Sequence, residues 1–325
     1  MKSLSAYAAR VIVDVGCLRL QAGLGAATVS LIGVAHYSRT WLGIAVAIAA
    51  GAAFAIANTS AGLAYQGGSN PLTVASTRFL LPTAALIGWL GYTGVPLVLP
   101  RRQAIVAVLL GAATALYNWA LLGSFNSIPF ALAVLIIYFY PLIAAVMVAT
   151  LGWEEFAWRT GAAILLAIIG LALALDVRGS NLNLTGVSLA FIAAVGLAVV
   201  VTVSSRVFGN GDARPVTLYV SAAASVLLLL LCATSEDFAF PQTRTGWIGF
   251  GAAAAFYGFA IITFFIAISM IGPVRASLFS YSDAVISAIL GVVVLGQALT
   301  AIQVAGITLV IVALISATIR RNHAN

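Results

Sequence analysis

Residues 103–150 read QAIVAVLLGAATALYNWALLGSFNSIPFALAVLIIYFYPLIAAVMVAT, two apolar runs parted by a short polar, glycine and proline punctuated link. Each run, 103–123 and 129–150, supplies the about 20 apolar residues that a helix needs to cross the hydrocarbon of a bilayer. Working outward, further runs of this kind fall near 41–65, 72–93, 160–176, 185–204, 215–233, 246–268, 273–294 and 300–319. The whole chain of 325 residues is 63% hydrophobic and 7% charged, against about 45–50% and about 25% in a soluble domain. With a mean hydropathy of +1.13, no soluble core hides this much apolar surface, so the chain's solvent is lipid.

The net charge of +7 does not point to nucleic acid, because the basic residues stand singly or in pairs between apolar runs rather than in a polar patch. They report topology instead. With the amino end cytoplasmic, Lys2, Arg10, Arg19, Arg39, Arg101, Arg102, Arg159, Arg206, Arg214, Arg275, Arg320 and Arg321 lie inside. Arg178 and Arg244 then lie outside and Arg78 within a span, an asymmetry that predicts both termini to be cytoplasmic. Cys17 and Cys232 have neither disulfide-framework nor metal spacing. Residues 1–40 carry Arg10, Asp14 and Arg19 too closely spaced for a spanning run. They read as an amino-terminal extension, cytoplasmic or interfacial, with an eleventh span as the alternative.

The opening stretch has a counterpart later in the chain. Gly111-Ala-Ala-Thr-Ala-Leu-Tyr117 is echoed by Gly251-Ala-Ala-Ala-Ala-Phe-Tyr257, Ile128-Pro129 by Gly272-Pro273, and Leu151-Gly152 by Leu295-Gly296. A repeat of five spans is an odd number, so the two halves must sit in opposite orientations in the bilayer, which puts a substrate site near the midplane at their seam. The expected fold is therefore all-α and integral to the membrane: ten transmembrane helices as two inverted five-helix repeats, 41–176 and 184–320, with a cytoplasmic tail at 321–325.

Asn70-Pro71-Leu-Thr-Val-Ala-Ser-Thr-Arg78-Phe79 in the second span and Tyr140-Pro141-Leu-Ile-Ala-Ala through Leu-Gly-Trp-Glu154 in the fourth carry a resemblance. They resemble the EamA family of the drug/metabolite transporter superfamily, and the resemblance runs over about residues 41–320. Ser282-Asp283-Ala284-Val285 through Leu-Gly-Gln297 echoes the fourth-span ending, but Ala284 and Gln297 depart from the proline and glutamate of the family pattern. The resemblance implies a multi-pass carrier of the cell inner membrane, often an exporter of amino acids or other small metabolites, working by alternating access. For Glu154 it implies a shared structural position in an inside loop.

Asp283 is the acidic residue placed well inside a span, ten residues beyond Pro273 and so roughly 15 Å along the ninth helix. An ionised carboxylate at that depth is costly unless it faces a cavity or a partner, which makes Asp283 the candidate proton-coupling group. Ala276, Ser280, Asp283 and Ser287 would form one small and polar stripe on that helix. Arg78, seven residues past Pro71, is either a fixed counter-charge for a substrate carboxylate or for Asp283, or an anchor that snorkels to the interface.

Asn58 belongs to a first-span face with Gly51, Phe54, Gly62 and Tyr65, and Asn118 to a third-span stripe with Gly111 and Thr114. With Tyr117, Tyr138, Tyr140, Tyr257, Ser280 and Tyr281 they suggest an aromatic, hydroxyl-lined pocket. Interhelical glue and interface belts are the plainer readings. Pro82 and Pro141 lie within spans as hinge candidates or static bends. Gly43, Ala47 and Gly51 are read as close-packing residues.

His36 and His323 lie outside the spans, and no HExxH, Walker loop or Ser-His-Asp set appears, so neither enzyme chemistry nor a metal or other cofactor is expected. The expected partners are a small organic solute, amino acid or amine-like and aromatic in one version, and the lipid bilayer; a homo-oligomer is left open. Set beside the proton-coupled exporter are two alternatives. One is an uncoupled facilitative carrier, in which Asp283 pairs permanently with Arg78 or a hydroxyl. The other is a non-transporting membrane scaffold.

Overall fold

Among the described residues of the computed structural model every backbone ladder is helical, as lipid demands of backbone amides and carbonyls that have no water to bond to. The structure describes residues 40–153, 158–175, 183–208, 211–235, 238–295 and 300–319. The amino-terminal extension up to residue 39, Cys17, Glu154, Gln297, Arg178, both histidines and the carboxy-terminal tail lie outside the described residues. The chain divides into a unit of residues 1–42, described only at its end, and a compact unit of residues 43–325 that holds everything below.

Helix α1 runs over Thr40–Gln66. It is followed by α2 (Pro71–Thr77), α3 (Leu80–Thr93), α4 (Arg101–Ser124), α5 (Phe130–Ile137), α6 (Tyr140–Thr150) and α7 (Trp158–Ala174). Then come α8 (Leu184–Phe208), α9 (Ala213–Thr234), α10 (Arg244–Ile271), α11 (Pro273–Ser280), α12 (Ser282–Leu295) and α13 (Ala301–Ile319). Among the described residues seven segments are long and apolar enough to cross a membrane, two of them the joined pairs α2–α3 and α5–α6, while α7 and the described part of α13 are shorter apolar helices. All ten expected stretches are helical to within a few residues. Caps and prolines set the starts. The Asn70 side chain accepts from the Thr73 amide at 2.7 Å ahead of Pro71, and Thr243 Oγ1 accepts from the Gly246 amide at 3.1 Å. Gly272, at φ +83°, makes the reversal between α10 and Pro273 that a side chain would strain.

Three stretches expected as single helices are broken: 72–93 at Arg78 and Phe79, 129–150 at Tyr138 and Phe139, and 273–294 at Tyr281. The first two breaks have the same cause. Pro82 and Pro141 lack the amide that would serve the carbonyls of Arg78 and Ile137, four residues earlier. The third has no proline. There the Tyr281 amide bonds to the Leu278 carbonyl and the Ala284 amide to the Tyr281 carbonyl, both at 3.1 Å, a tightened three-residue spacing in place of the α ladder.

Packing follows small residues. A Cβ on Gly170 of α7 would lie 2.7 Å from the Gly306 carbonyl oxygen, and one on Gly306 of α13 would come closer still to that of Gly170, so these helices touch backbone to backbone. Gly111 brings α4 to the Val220 carbonyl of α9, and Gly249 brings α10 to the Ser60 carbonyl of α1. Gly43 and Gly51 act as the sequence suggests, the first against Ile271 and the second against Ser282. Gly251, which the repeat pairs with Gly111, instead faces open space. Exposed Leu109, Leu230, Ile248 and Phe259 leave the outside as apolar as the core, while Thr114, Asn118 and Ser280 are buried within it. That arrangement suits an apolar solvent.

Candidate functional site

The expected site residues fall into two polar clusters, each built on helix breaks. Arg78 caps α2, its amide donating to the Val74 carbonyl at 3.0 Å. Because the helix stops there, the side chain leaves the bundle wall at the junction rather than along a regular face. Its Nη2 donates to Asn118 Oδ1 on α4, and Asn118 Nδ2 in turn donates to the Thr114 carbonyl at 2.8 Å. The guanidinium carbon lies 4.1 Å from the centre of the Tyr257 ring on α10 and 5.6 Å from that of Phe79. Nε is buried with no partner.

Rings surround this cation. Phe79 and Phe54 meet Tyr257 edge-on at 5.1 and 5.7 Å. The buried phenols of Tyr117 and Tyr257, the last residues of the two echoed glycine-alanine segments, lie within electrostatic reach of each other. Tyr65 lies within electrostatic reach of Arg78. Asn58 is exposed on α1, one turn beyond Phe54, and is not tied into the cluster.

The second cluster joins α5–α6 to α11–α12. Ser280 Oγ donates to the Ser277 carbonyl at 2.7 Å, so the Tyr140 hydroxyl, 2.9 Å away, is the donor to Ser280 Oγ. The Tyr281 hydroxyl donates to the Tyr138 carbonyl, and their rings lie 5.2 Å apart. Asp283 sits in the first turn of α12, where the free amides of a helix start favour negative charge. The Tyr138 phenol lies within electrostatic reach of it.

Two expectations change. The stripe Ala276, Ser280, Asp283 and Ser287 is not one helical row, because Tyr281 interrupts it and puts Asp283 at a new helix start. Nor do Arg78 and Asp283 pair: among the described residues no carboxylate lies within ion-pair distance of Arg78, and the group within electrostatic reach of Asp283 is the Tyr138 phenol. Arg78, Tyr117, Asn118 and Tyr257 come together, as do Tyr140, Ser280, Tyr281 and Asp283. Pro82 packs against Gly258, where a Cβ would come 3.2 Å from the proline Cδ, and Pro141 lies in the first turn of α6.

Phe79 and the carbonyl of Tyr138 belong to these clusters, and sequence reasoning did not single them out as site groups. Pro141, three residues after Tyr138, was the available signal for the carbonyl; for Phe79 it was adjacency to a charge within a span. Also overlooked was a latch away from both clusters. Asp212 caps α9, its carboxylate accepting from the Arg214 amide at 2.9 Å and pairing with its guanidinium at 2.6 Å. Arg214 stacks 4.8 Å from the Trp89 ring of α3. Partial burial raises the Asp212 carboxyl, but the hydrogen bonds and charge of Arg214 outweigh it and hold the group below its usual value.

Residues 184–319 match the EamA-like transporter family. A solved structure titled only as a crystal structure of protein superposes with a TM-score of 0.73, covering 88% of this chain and 99% of its own at 22% identity, which establishes a shared fold. A comparison with curated proteins finds no match.

Proposed function

From the premise that residues 184–319 form an EamA-like segment of a multi-pass membrane transport protein, we propose a carrier of a small organic solute that works by alternating access. Export across the cell inner membrane is the favoured direction, with both termini cytoplasmic. Ten spans form two inverted repeats, α1 to α7 and α8 to α13. The nearness of Tyr117 to Tyr257, within electrostatic reach of each other, supports this reading. Residues that a two-fold axis exchanges can touch only where they lie beside that axis. The packing of α3 on α9 and of α7 on α13 repeats the pattern, because each pair belongs to the same span of its half.

The solute site lies at this seam, with Asn58, Arg78, Tyr117, Asn118, Tyr140, Tyr257, Ser280 and Tyr281 as its contacts. Asp283 at the α12 start is the coupling group, protonated in one access state and ionised in the other. The bonds of Tyr138 to Tyr281 and of Tyr140 to Ser280 must open for access to alternate, with Pro82 and Pro141 as flex points. The Tyr138 phenol near Asp283 favours a second reading, an uncoupled carrier in which that pairing is permanent.

Counterflow of labelled solute in proteoliposomes, with and without a pH gradient, tests both. Asp283→Asn should retain counterflow and lose gradient-driven accumulation. Full proton-driven accumulation by the variant overturns the coupling role, and absence of any counterflow supports a scaffold.

A further inference from the structure

Arg78 brings a guanidinium cation into the first cluster. The groups on it are an amide oxygen and the rings of Phe79 and Tyr257, and the phenols of Tyr65 and Tyr117 lie in its field. None of these is an anion at neutral pH. Among the described residues no acidic side chain reaches it, and Nε is buried without an acceptor. A half-buried guanidinium short of a counter-charge, with its Nε buried and lacking an acceptor, is costly on its own. What would relieve it is an anion that enters from outside the fold.

Resting on the carrier reading above, we infer that Arg78 is the docking point for the carboxylate of the transported solute, which is an organic monoanion or zwitterion with an apolar body and not a simple amine. Asn118 holds one end of the guanidinium and Tyr257 covers its face, so the fork is oriented before the ligand arrives, and a planar carboxylate matches the remaining donors. One cation in the cluster balances one negative charge, which argues against phosphate-rich solutes. The edge-on rings of Phe54, Phe79 and Tyr257 give the body of the ligand an apolar wall.

Binding to the detergent-purified full chain, read by thermal shift, and counterflow in proteoliposomes test this with four probes of one shape: phenylacetate, phenylalanine, phenylalaninamide and phenethylamine. The two carboxylates should stabilise the protein and exchange, and the amide and amine should do neither. Arg78→Gln should weaken carboxylate binding about tenfold or more, whereas Arg78→Lys, which keeps the charge without the fork, should retain part of it. Size-exclusion profiles and unliganded unfolding temperatures of both variants establish that they are folded. Equal binding of amide or amine, or an Arg78→Gln variant that binds carboxylates as the parent does, overturns the assignment and leaves the carrier reading standing. No binding and no counterflow for any of the four overturns both.

Discussion

The Tyr281 hydroxyl donates to the main-chain carbonyl of Tyr138, and each of these tyrosines caps a helix of eight residues, α11 and α5. The carbonyl is free for a local reason. Beyond the break the Leu142 amide turns back only to Phe139, at 3.0 Å, so the donor that a continuous helix would offer Tyr138 is spent elsewhere. A side chain at one helix interruption thus satisfies the carbonyl freed at another.

Tyr281→Phe keeps the ring contact and orphans that carbonyl. An unfolding free energy lower by about 1–3 kcal/mol is expected, read as a reduced thermal midpoint in detergent. An unchanged midpoint would mean that the carbonyl finds another donor.

The α7–α13 crossing leaves no room for a side chain. Gly306→Val should cost about 3 kcal/mol or more, because the atoms a Cβ would strike there are backbone and cannot swing aside. Gly88→Ala, with nothing within 4 Å of its new Cβ, should be neutral or stabilising by up to about 1 kcal/mol. Comparable losses in both would sink the packing argument.

Pro82→Ala restores the amide that could bond the Arg78 carbonyl and removes the ring packed on Gly258. If the break is a flex point, the expected outcome is a slower counterflow rate at unchanged carboxylate affinity. Loss of affinity with an unchanged rate would assign the proline to shaping the Arg78 site instead.

Arg214 depresses the Asp212 carboxyl, so the pair contributes stability that is fully present above the ordinary aspartate value of about 4 and fades as pH falls through the lowered folded value. The parent protein should therefore lose thermal stability below about pH 4 by more than Asp212→Asn does. Partial exposure keeps the difference modest. Parallel acid profiles would show that the ion pair contributes nothing.

Helix positions were legible because a spanning segment is defined along the chain: some twenty apolar residues between punctuation of the kind seen at Pro100, Pro129 and Pro273 need no tertiary information. The Pro82 and Pro141 bends were legible for the same reason, since the missing amide is a property of the residue. Tyr281 was not. Its neighbours Ser280, Ser282 and Asp283 permit helix, and the break is seen only where Gly51 lets α1 approach so closely that a Cβ there would strike Ser282 Oγ. The polar stripe expected through Asp283 failed at that point.

Composition and pattern by themselves determined that lipid is the solvent, where the helices lie, that the chain echoes itself, and which residues carry charge or hydroxyls into the spans. Only the tertiary structure decided that Arg78 meets Asn118 and Tyr257 rather than Asp283, and that Asp283 lies near Tyr138. The reason is physical: periodicity orders residues around one helix axis, whereas the partner of a buried charge is chosen by which helices cross, at what depth, and where their ladders break.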